Sequence, residues 1–147
     1  LQPEDWLQWG QFTTFKSNAA TLLERRVRAN QIIYCSPLVD PYQPGEESEQ
    51  LMPRILEILI RHPPKVFVIQ TRSPLVSRDC DLLVTLAQLT RVRISFSITT
   101  NLEEVRRLYE PRCAPIRKRL DAMQHLRAVG PLSIMGTNHT FGSVNKS

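Results

Sequence analysis

A loop in the first third of the chain combines residue types that could bind a small ligand. Residues 31–47 begin as an apolar, strand-like run, continue as a polar loop and end at the acidic start of a helix. Three prolines within eight residues of this loop fix φ and remove three backbone donors. They should hold Asp40, Tyr42 and Gln43 in a restricted geometry. Taken alone, the stretch fits a ligand-facing loop and a rigid turn without a ligand equally well.

Two further polar segments follow apolar runs later in the chain. Residues 71–73, Thr-Arg-Ser, come after one run, and residues 97–100, Ser-Ile-Thr-Thr, end another. Ligands of parallel α/β sheets bind beyond the carboxyl ends of the strands, so these segments and the loop at 40–43 should converge on one edge. An acid, an amide, a cation and several hydroxyls together suit a zwitterionic or nucleoside-like small molecule. The convergence favours the binding interpretation of the loop.

Strands and helices that would position these segments alternate along the chain. Short runs rich in apolar, β-branched or aromatic residues predict strands at 32–35, 65–71 and 91–100. Apolar residues at helical spacing predict helices in the second half of 5–29, from 51 to the Pro63-Pro64 pair, and around 82–89, 102–108 and 116–129. A strand-to-strand spacing of roughly 25 to 35 residues is typical of consecutive βα units. We therefore predict an α/β fold with a parallel sheet.

Polar residues at the starts of these helices predict their N-terminal caps. Ser77 and Asp79 are candidate caps of the helix at 82–89, and the acids of residues 46–49 suit the start of the helix at 51. At the other end of the chain, residues 131–147 predict a possible strand start followed by a disordered tail. Residues 1–130 would then form one α/β domain.

Composition limits the classes of protein to which the chain can belong. Charged residues make up 22% and hydrophobic residues 41%, and no apolar run reaches the ~20 residues that a membrane span needs. The first residues contain early acids and no apolar core of a signal peptide. We therefore expect a globular protein without a membrane segment, located in the cytoplasm.

The basic clusters of the chain are compatible with a nucleic-acid partner. Nineteen basic residues against 14 acidic ones give a net charge of +5, with clusters at 25–28, 106–107 and 117–119. Trp6, Trp9, Phe12 and Phe15 recur every three residues and could form a stacking surface or pack in the core. A nucleic-acid-binding α/β module is one interpretation of this pattern. Acids interleaved with the arginines also fit ordinary solvated helix faces.

No catalytic motif accompanies the predicted binding edge. The chain has no G-x-G-x-x-G, Walker or G-x-S-x-G motif. Its three cysteines, Cys35, Cys80 and Cys113, lie tens of residues apart and form no metal-binding or redox pair. His62, His125 and His139 have no partner at ligand spacing. The residues alone thus predict a binding edge without a visible reaction centre.

Four segments in order resemble those of radical S-adenosylmethionine proteins, with the spore photoproduct lyase-like group as the closest match. They are Asp-Pro-Tyr-Gln-Pro at 40–44, residues 70–79, residues 94–100, and Tyr-Glu-Pro-Arg at 109–112 followed by residues 114–120. The resemblance covers about residues 12–130. It implies a (β/α)6 partial TIM-type barrel in which a [4Fe-4S] cluster cleaves S-adenosylmethionine. The resulting 5′-deoxyadenosyl radical would abstract hydrogen from a substrate that this sequence does not identify.

The chain departs most severely from that family at the cluster-binding loop. Family members hold the cluster with a C-x3-C-x2-C loop after the first strand, and this sequence contains no such loop. We expect an inactive fragment that spans the second to fourth strands, with the cluster loop upstream of Leu1. A degenerate scaffold that binds S-adenosylmethionine without chemistry is a further hypothesis.

The resemblance also implies a set of cofactor-binding residues. Asp40, Tyr42 and Gln43 would approach the amino group of the methionyl part, and Arg72 would pair with its carboxylate where relatives usually have lysine. Ser97 and Thr99 would supply hydroxyls to the carboxylate or the ribose. Glu110 and Arg112 match a family loop motif without an assigned role.

Overall fold

The computed structural model describes residues 14–35 and 38–138. Four strands are present in this part of the chain: β1 (Ile32–Cys35), β2 (Val66–Thr71), β3 (Arg91–Ile98) and β4 (Ser133–Asn138). The α-helices are α1 (Ala19–Arg26), α2 (Glu46–Glu49), α3 (Leu51–Arg61), α4 (Cys80–Leu89), α5 (Glu103–Tyr109) and α6 (Ile116–Ala128). A 3₁₀ helix, Pro74–Asp79, precedes α4. Within the described ranges, no helix is both long enough and apolar enough to cross a membrane.

All four strands are parallel and lie in the order β1-β2-β3-β4. Tyr34 pairs with Val68, Val68 with Arg93, and Arg93 with Ser133. Each strand therefore pairs with the strand that follows it in the sequence, and a helix lies in every connection. The predicted α/β class with consecutive parallel βα units is confirmed.

The two faces of this sheet differ in what covers them. Phe67, Ile69 and Phe96 on one face are fully buried in a core shared with the helices. Right-handed crossovers between sequential strands place all the helices on one face, which explains this layering. On the opposite face Ile32 is 66% exposed and Tyr34 is 54% exposed. We call this second face the open face, although Val68, Ser95 and Ser97 near its centre are buried.

The acidic start predicted for the helix at 51 is a separate turn of helix. Gln50 has φ 48°, in the left-handed region, and this residue divides α2 from α3. The Glu46 carboxylate then accepts hydrogen bonds from the amides of Leu51 and Met52, at 3.2 and 2.9 Å. These amides open α3 and have no partner inside the helix. Glu46 therefore caps α3 from five residues away, and α3 begins at residue 51, where the helix was predicted to begin.

The predicted caps of α4 also differ in the structure. Asp79 precedes α4 but makes no side-chain cap, because its carboxylate binds the Arg78 guanidinium at 2.7 Å. The Ser77 hydroxyl is buried without a hydrogen-bond partner in the described part of the chain. Ser73 instead caps the 3₁₀ helix by accepting from the Leu75 amide. The capping prediction for Ser77 and Asp79 was wrong.

Several predictions fall at the limits of the described residues. β4 lies where a possible strand start was predicted. The predicted tail beyond it, like Trp6, Trp9, Phe12 and Pro37, lies outside the described residues.

Candidate functional site

Asp40 connects the loop after β1 to the carboxyl end of β2. Its Oδ1 accepts hydrogen bonds from the Tyr42 amide, at 2.9 Å, and from the Thr71 hydroxyl, at 2.7 Å. Its Oδ2 accepts from the Arg72 amide at 2.6 Å. Bonds from neutral donors to a carboxylate are shorter and stronger than bonds between neutral groups. Asp40 thus fixes the loop against β2, and its two oxygens already have three protein donors.

Arg72 begins a chain of charged side chains across this edge. Its Nε lies 3.2 Å from Glu110 Oε1, and Glu110 Oε2 accepts from Arg119 Nη2 at 3.0 Å. Arg119 is 1% exposed and donates further to the carbonyl oxygens of Ser97, at 3.2 Å, and Ala114, at 2.9 Å. The Arg72 side chain is 48% exposed. Glu110 therefore orients the Arg72 guanidinium through Nε, while its terminal nitrogens have no hydrogen-bond partner among residues 14–35 and 38–138.

Ser97 and Gln70 supply neutral polar groups on the open face. Gln70 Nε2 donates to Ser97 Oγ at 3.1 Å, from neighbouring strands. Ser97 is only 5% exposed. Thr99, the other predicted hydroxyl, lies half-buried just beyond β3. The hydroxyls of β3 and the amide of β2 are therefore close to the strand end that carries Arg72.

Tyr42 packs inside the fold instead of facing outward. It is 3% exposed and belongs to the hydrophobic core. Its hydroxyl is buried without a hydrogen-bond partner in the part of the chain described. Burial and the nearby Asp79 carboxylate raise the pKa of this hydroxyl well above its usual value. Gln43 beside it is half-buried, and its carbonyl oxygen accepts from the Glu46 amide. The structure thus brings Asp40, Arg72 and Ser97 to one edge but places Tyr42 in the core.

Two buried charges at this end of the fold were missed in the sequence. Glu46 is fully buried, and its carboxylate accepts a hydrogen bond from Arg78 Nη2 at 3.0 Å. Arg119, described above, is nearly as buried and lies in a run that reads as a solvated helix face. The partner of Glu46 is 32 positions away, and Arg119 pairs with Glu110 across the loop between α5 and α6, so no local sequence pattern marks either residue as buried. The paired carboxylate and guanidinium offset the cost of burial.

The loop between α5 and α6 is fixed by a second ion pair. Arg106 Nε binds Glu103 Oε1 at 2.7 Å, and Arg106 Nη1 donates to the carbonyl oxygens of Glu110 and Cys113. Glu103 Oε2 accepts from the Ile116 amide at 3.1 Å, where α6 begins. The hydrogen bond from the Ile116 amide, together with the charge of Arg106, lowers the pKa of the Glu103 carboxyl group. Glu110 and Cys113 therefore belong to a loop held by side chains.

The three cysteines do not form a cluster-binding set. Burial, with the charges of Asp40 and Glu46, raises the pKa of the Cys35 thiol to about 11. Burial likewise raises the pKa of Cys80 and Cys113. No group of three or more His, Cys, Asp or Glu side chains in the described ranges could hold a metal ion. A [4Fe-4S] cluster needs thiolates that converge, so these residues do not fit one.

A groove of about 450 Å³ lies on the helical side of the molecule. The 3₁₀ helix, α4 and α6 line it with side chains that include Ser77, Asp81 and His125. None of the cofactor-binding residues predicted from the sequence lies in this groove. This groove is therefore separate from the candidate site at the carboxyl edge.

The basic clusters do not form one surface. α1, which ends with Arg25 and Arg26, packs against α3, whereas α6 packs against β3 and β4. Arg119 is buried, and the exposed Arg117 pairs with Asp121 at 3.0 Å. The C-terminal end of α1 leads into β1 at the amino edge of the sheet, whereas α6 begins near the carboxyl edge. The clusters at 25–28 and 117–119 are therefore separated.

Comparisons with known proteins give one curated relative and no assigned function. The chain is 35% identical over 102 residues to "Uncharacterized protein ORF301" of Acidianus two-tailed virus. The match covers 68% of this chain and 32% of that protein, so the chain spans about a third of the relative's length. No protein-family model matches the chain. No solved structure matches it either.

Proposed function

We propose that this chain is part of a radical S-adenosylmethionine protein and that its carboxyl edge binds the methionyl part of S-adenosylmethionine. One observation supports this most. The four segments that resemble the family lie far apart in sequence, yet hydrogen bonds and ion pairs join them at one edge. The links run from Asp40 to Thr71 and Arg72, from Arg72 to Glu110, and from Arg119 to Ser97.

The arrangement of the sheet supports the barrel part of the proposal. Strands of a (β/α) barrel follow one another around the axis, with helices outside and the inner face free of helices. The sequential order β1-β2-β3-β4 and the exposed side chains of Ile32, Tyr34 and Met135 agree with this arrangement. We propose that the sheet is part of a (β/α)6 partial TIM-type barrel whose interior is the open face.

The Arg72 guanidinium is the proposed contact for the ligand carboxylate. Glu110 holds Nε, which leaves the two terminal nitrogens to form a two-point contact with a carboxylate. Asp40 fixes the backbone of Arg72, so its role in this proposal is to position the arginine. The hydroxyl of Ser97 and the amide of Gln70 lie on the open face and would bind a ribose hydroxyl.

Radical chemistry lies outside what these residues can perform. The described residues offer no set of three thiolates, so a [4Fe-4S] cluster would need ligands from elsewhere in the polypeptide. The proposed role of this chain is to bind and orient S-adenosylmethionine. We propose a cytoplasmic location, in which its three free thiols stay reduced.

The reading frame upstream of Leu1 tests the enzyme proposal. A C-x3-C-x2-C motif in that frame is expected, and its absence would remove the radical mechanism. The protein would then be, at most, a scaffold that binds S-adenosylmethionine without chemistry.

Calorimetric titration with S-adenosylmethionine tests the ligand proposal. Arg72→Gln should weaken binding about tenfold or more, because a charge-assisted contact is lost. Arg107→Gln is the matched control. The Arg107 side chain is 74% exposed, and its ion pair with Glu103 is long, at 3.9 Å. Equal losses in the two variants would argue against a carboxylate contact at Arg72.

A further inference from the structure

The amino edge of the sheet carries a surface of a different chemical character. Six exposed cations lie at or beside the strand starts: Arg25, Arg26, Arg28, Lys65, Arg91 and Arg93. We call this set the amino-edge basic surface. Within residues 14–35 and 38–138, none of the six forms an ion pair. Residues 27–31, 62–65 and 90–93, which lead into the first three strands, contain no aspartate or glutamate.

Backbone contacts make this surface continuous. The Gln31 amide donates to the Arg28 carbonyl at 3.1 Å, and the Lys65 amide donates to the Gln31 carbonyl at 2.9 Å. The Thr90 hydroxyl donates to the Lys65 carbonyl at 3.0 Å, immediately before Arg91. The cations therefore follow one another along the edge from β1 to β3.

Charges at the two edges of the sheet are arranged differently. At the carboxyl edge, Arg72 and Arg119 share Glu110, and Arg78 binds Glu46. Those pairs neutralise most of the local charge. Basic side chains near helix ends complement the helix dipole, which explains Arg25 and Arg26 at the end of α1. That effect does not explain Arg91 and Arg93, which are strand residues.

Arg91 and Arg93 project onto the open face, two strands away from the exposed side chains of Ile32 and Tyr34. The register aligns Ile32, Val66 and Arg91 in one row and Tyr34, Val68 and Arg93 in the next. Side chains in such rows share a face of the sheet, with neighbouring strands about 4.8 Å apart. The backbones of Tyr34 and Arg93 are thus about 10 Å apart, with the buried Val68 between them.

From this arrangement we infer that the amino-edge basic surface and the adjoining open face bind single-stranded nucleic acid. The cations contact successive phosphates, and a base stacks on the Tyr34 ring, as on other stacking platforms. The absence of acids on the strand starts matches the charge of the partner. The cations of this site lie at the opposite end of the strands from Arg72, whereas Tyr34 lies on the open face that also carries Gln70 and Ser97.

Fluorescence anisotropy with a labelled oligothymidylate of about 16 nucleotides tests the inference. The wild-type chain should bind with an affinity that falls steeply with salt. The double variant Arg91→Gln, Arg93→Gln should lose about tenfold in affinity, and its salt slope should fall by about 1.4, or 0.7 for each phosphate contact. The double variant Arg117→Gln, Lys118→Gln removes the same charge from α6 and should bind like the wild type. Equal losses in the two double variants would overturn the assignment to the amino edge.

Tyrosine variants separate base stacking from simple charge attraction. Tyr34→Ala should weaken binding about tenfold with an unchanged salt slope, whereas Tyr34→Phe, which keeps the ring, should bind normally. Unchanged binding by Tyr34→Ala would contradict the stacking contact. A competition experiment then compares poly-glutamate with unlabelled oligothymidylate. If poly-glutamate displaces the labelled oligonucleotide equally well, the surface binds an acidic protein segment and the inference is overturned.

Discussion

The Asp40 carboxylate and the Arg72 amide lie 2.6 Å apart, although the two residues are 32 positions apart in the chain. This bond joins the loop after β1 to the loop after β2. The same carboxylate accepts from Thr71 and Tyr42, so one acid sets the relative position of two loops.

Replacement of Asp40 by alanine should therefore destabilise the fold. The change leaves the Thr71 hydroxyl and two backbone amides without their acceptor, and we expect a loss of about 2 kcal/mol in the free energy of unfolding. Urea denaturation followed by circular dichroism measures it. Asp81→Ala is the control, because Asp81 is exposed and should change stability by less than about 0.5 kcal/mol. Similar values for both variants would show that the three bonds contribute little.

Glu110→Gln should have a larger effect than most surface changes. The substitution leaves the nearly buried Arg119 without its carboxylate partner, and we expect a cost of about 3 kcal/mol. Asp121→Asn provides the comparison, since it breaks the exposed pair with Arg117 and should cost less than about 1 kcal/mol. Equilibrium unfolding in urea distinguishes the two. A cost below 1 kcal/mol for Glu110→Gln would mean that the Ser97 and Ala114 carbonyls alone suffice for Arg119.

Tyr42→Phe tests whether the Tyr42 hydroxyl has any role. Because this buried hydroxyl has no hydrogen-bond partner among the described residues, its removal should leave stability unchanged or raise it by up to about 1 kcal/mol. Tyr42→Ala should instead cost about 3 to 5 kcal/mol, through the loss of a buried ring. Thermal and chemical denaturation would measure both. A destabilised Tyr42→Phe variant would point to a hydrogen bond between this hydroxyl and the nearby Asp79 carboxylate.

Stability should fall in acid partly through Glu103. The folded state binds the Glu103 proton more weakly than the unfolded chain does, because the Ile116 amide and Arg106 favour the carboxylate. The contribution of Glu103 is therefore complete above the usual carboxyl pKa of 4.5 and disappears as the pH falls through the lower folded value. Glu103→Gln should reduce the difference in stability between pH 7 and pH 3. Glu104→Gln, at the exposed neighbouring position, should leave that difference unchanged.

Apolar runs predicted the sheet well because the physical signal is local. The run at 32–35 matches the bounds of β1, and the run at 65–71 differs from β2 by one residue. Short, apolar and β-branched segments bounded by loops leave few alternatives to a buried strand. The meeting of Asp40, Arg72 and Ser97 at one edge then followed from the parallel order of the strands.

Long-range charge pairing was not predictable in the same way. Glu46 and Arg78 lie 32 residues apart, and their burial depends on each other. In the sequence, Glu46 stands among the acids at the start of a helix, and nothing marks Arg78 as its partner. The left-handed Gln50 that separates α2 from α3 is similarly determined by the Glu46 cap and not by a glycine. Tyr42 was placed at the surface because its neighbours are polar loop residues.

The sequential strand order also has a consequence for how such a sheet can grow. Each of the four described strands pairs with its neighbours in the chain, so no unit among them is threaded between two others. Gain of a βα unit before β1 or after β4 would leave the three existing pairings intact. In a doubly wound sheet, a unit inserted at the centre would break pairings already formed. The architecture is therefore modular at both edges, and duplication or loss of whole units is the least disruptive route by which it can change length.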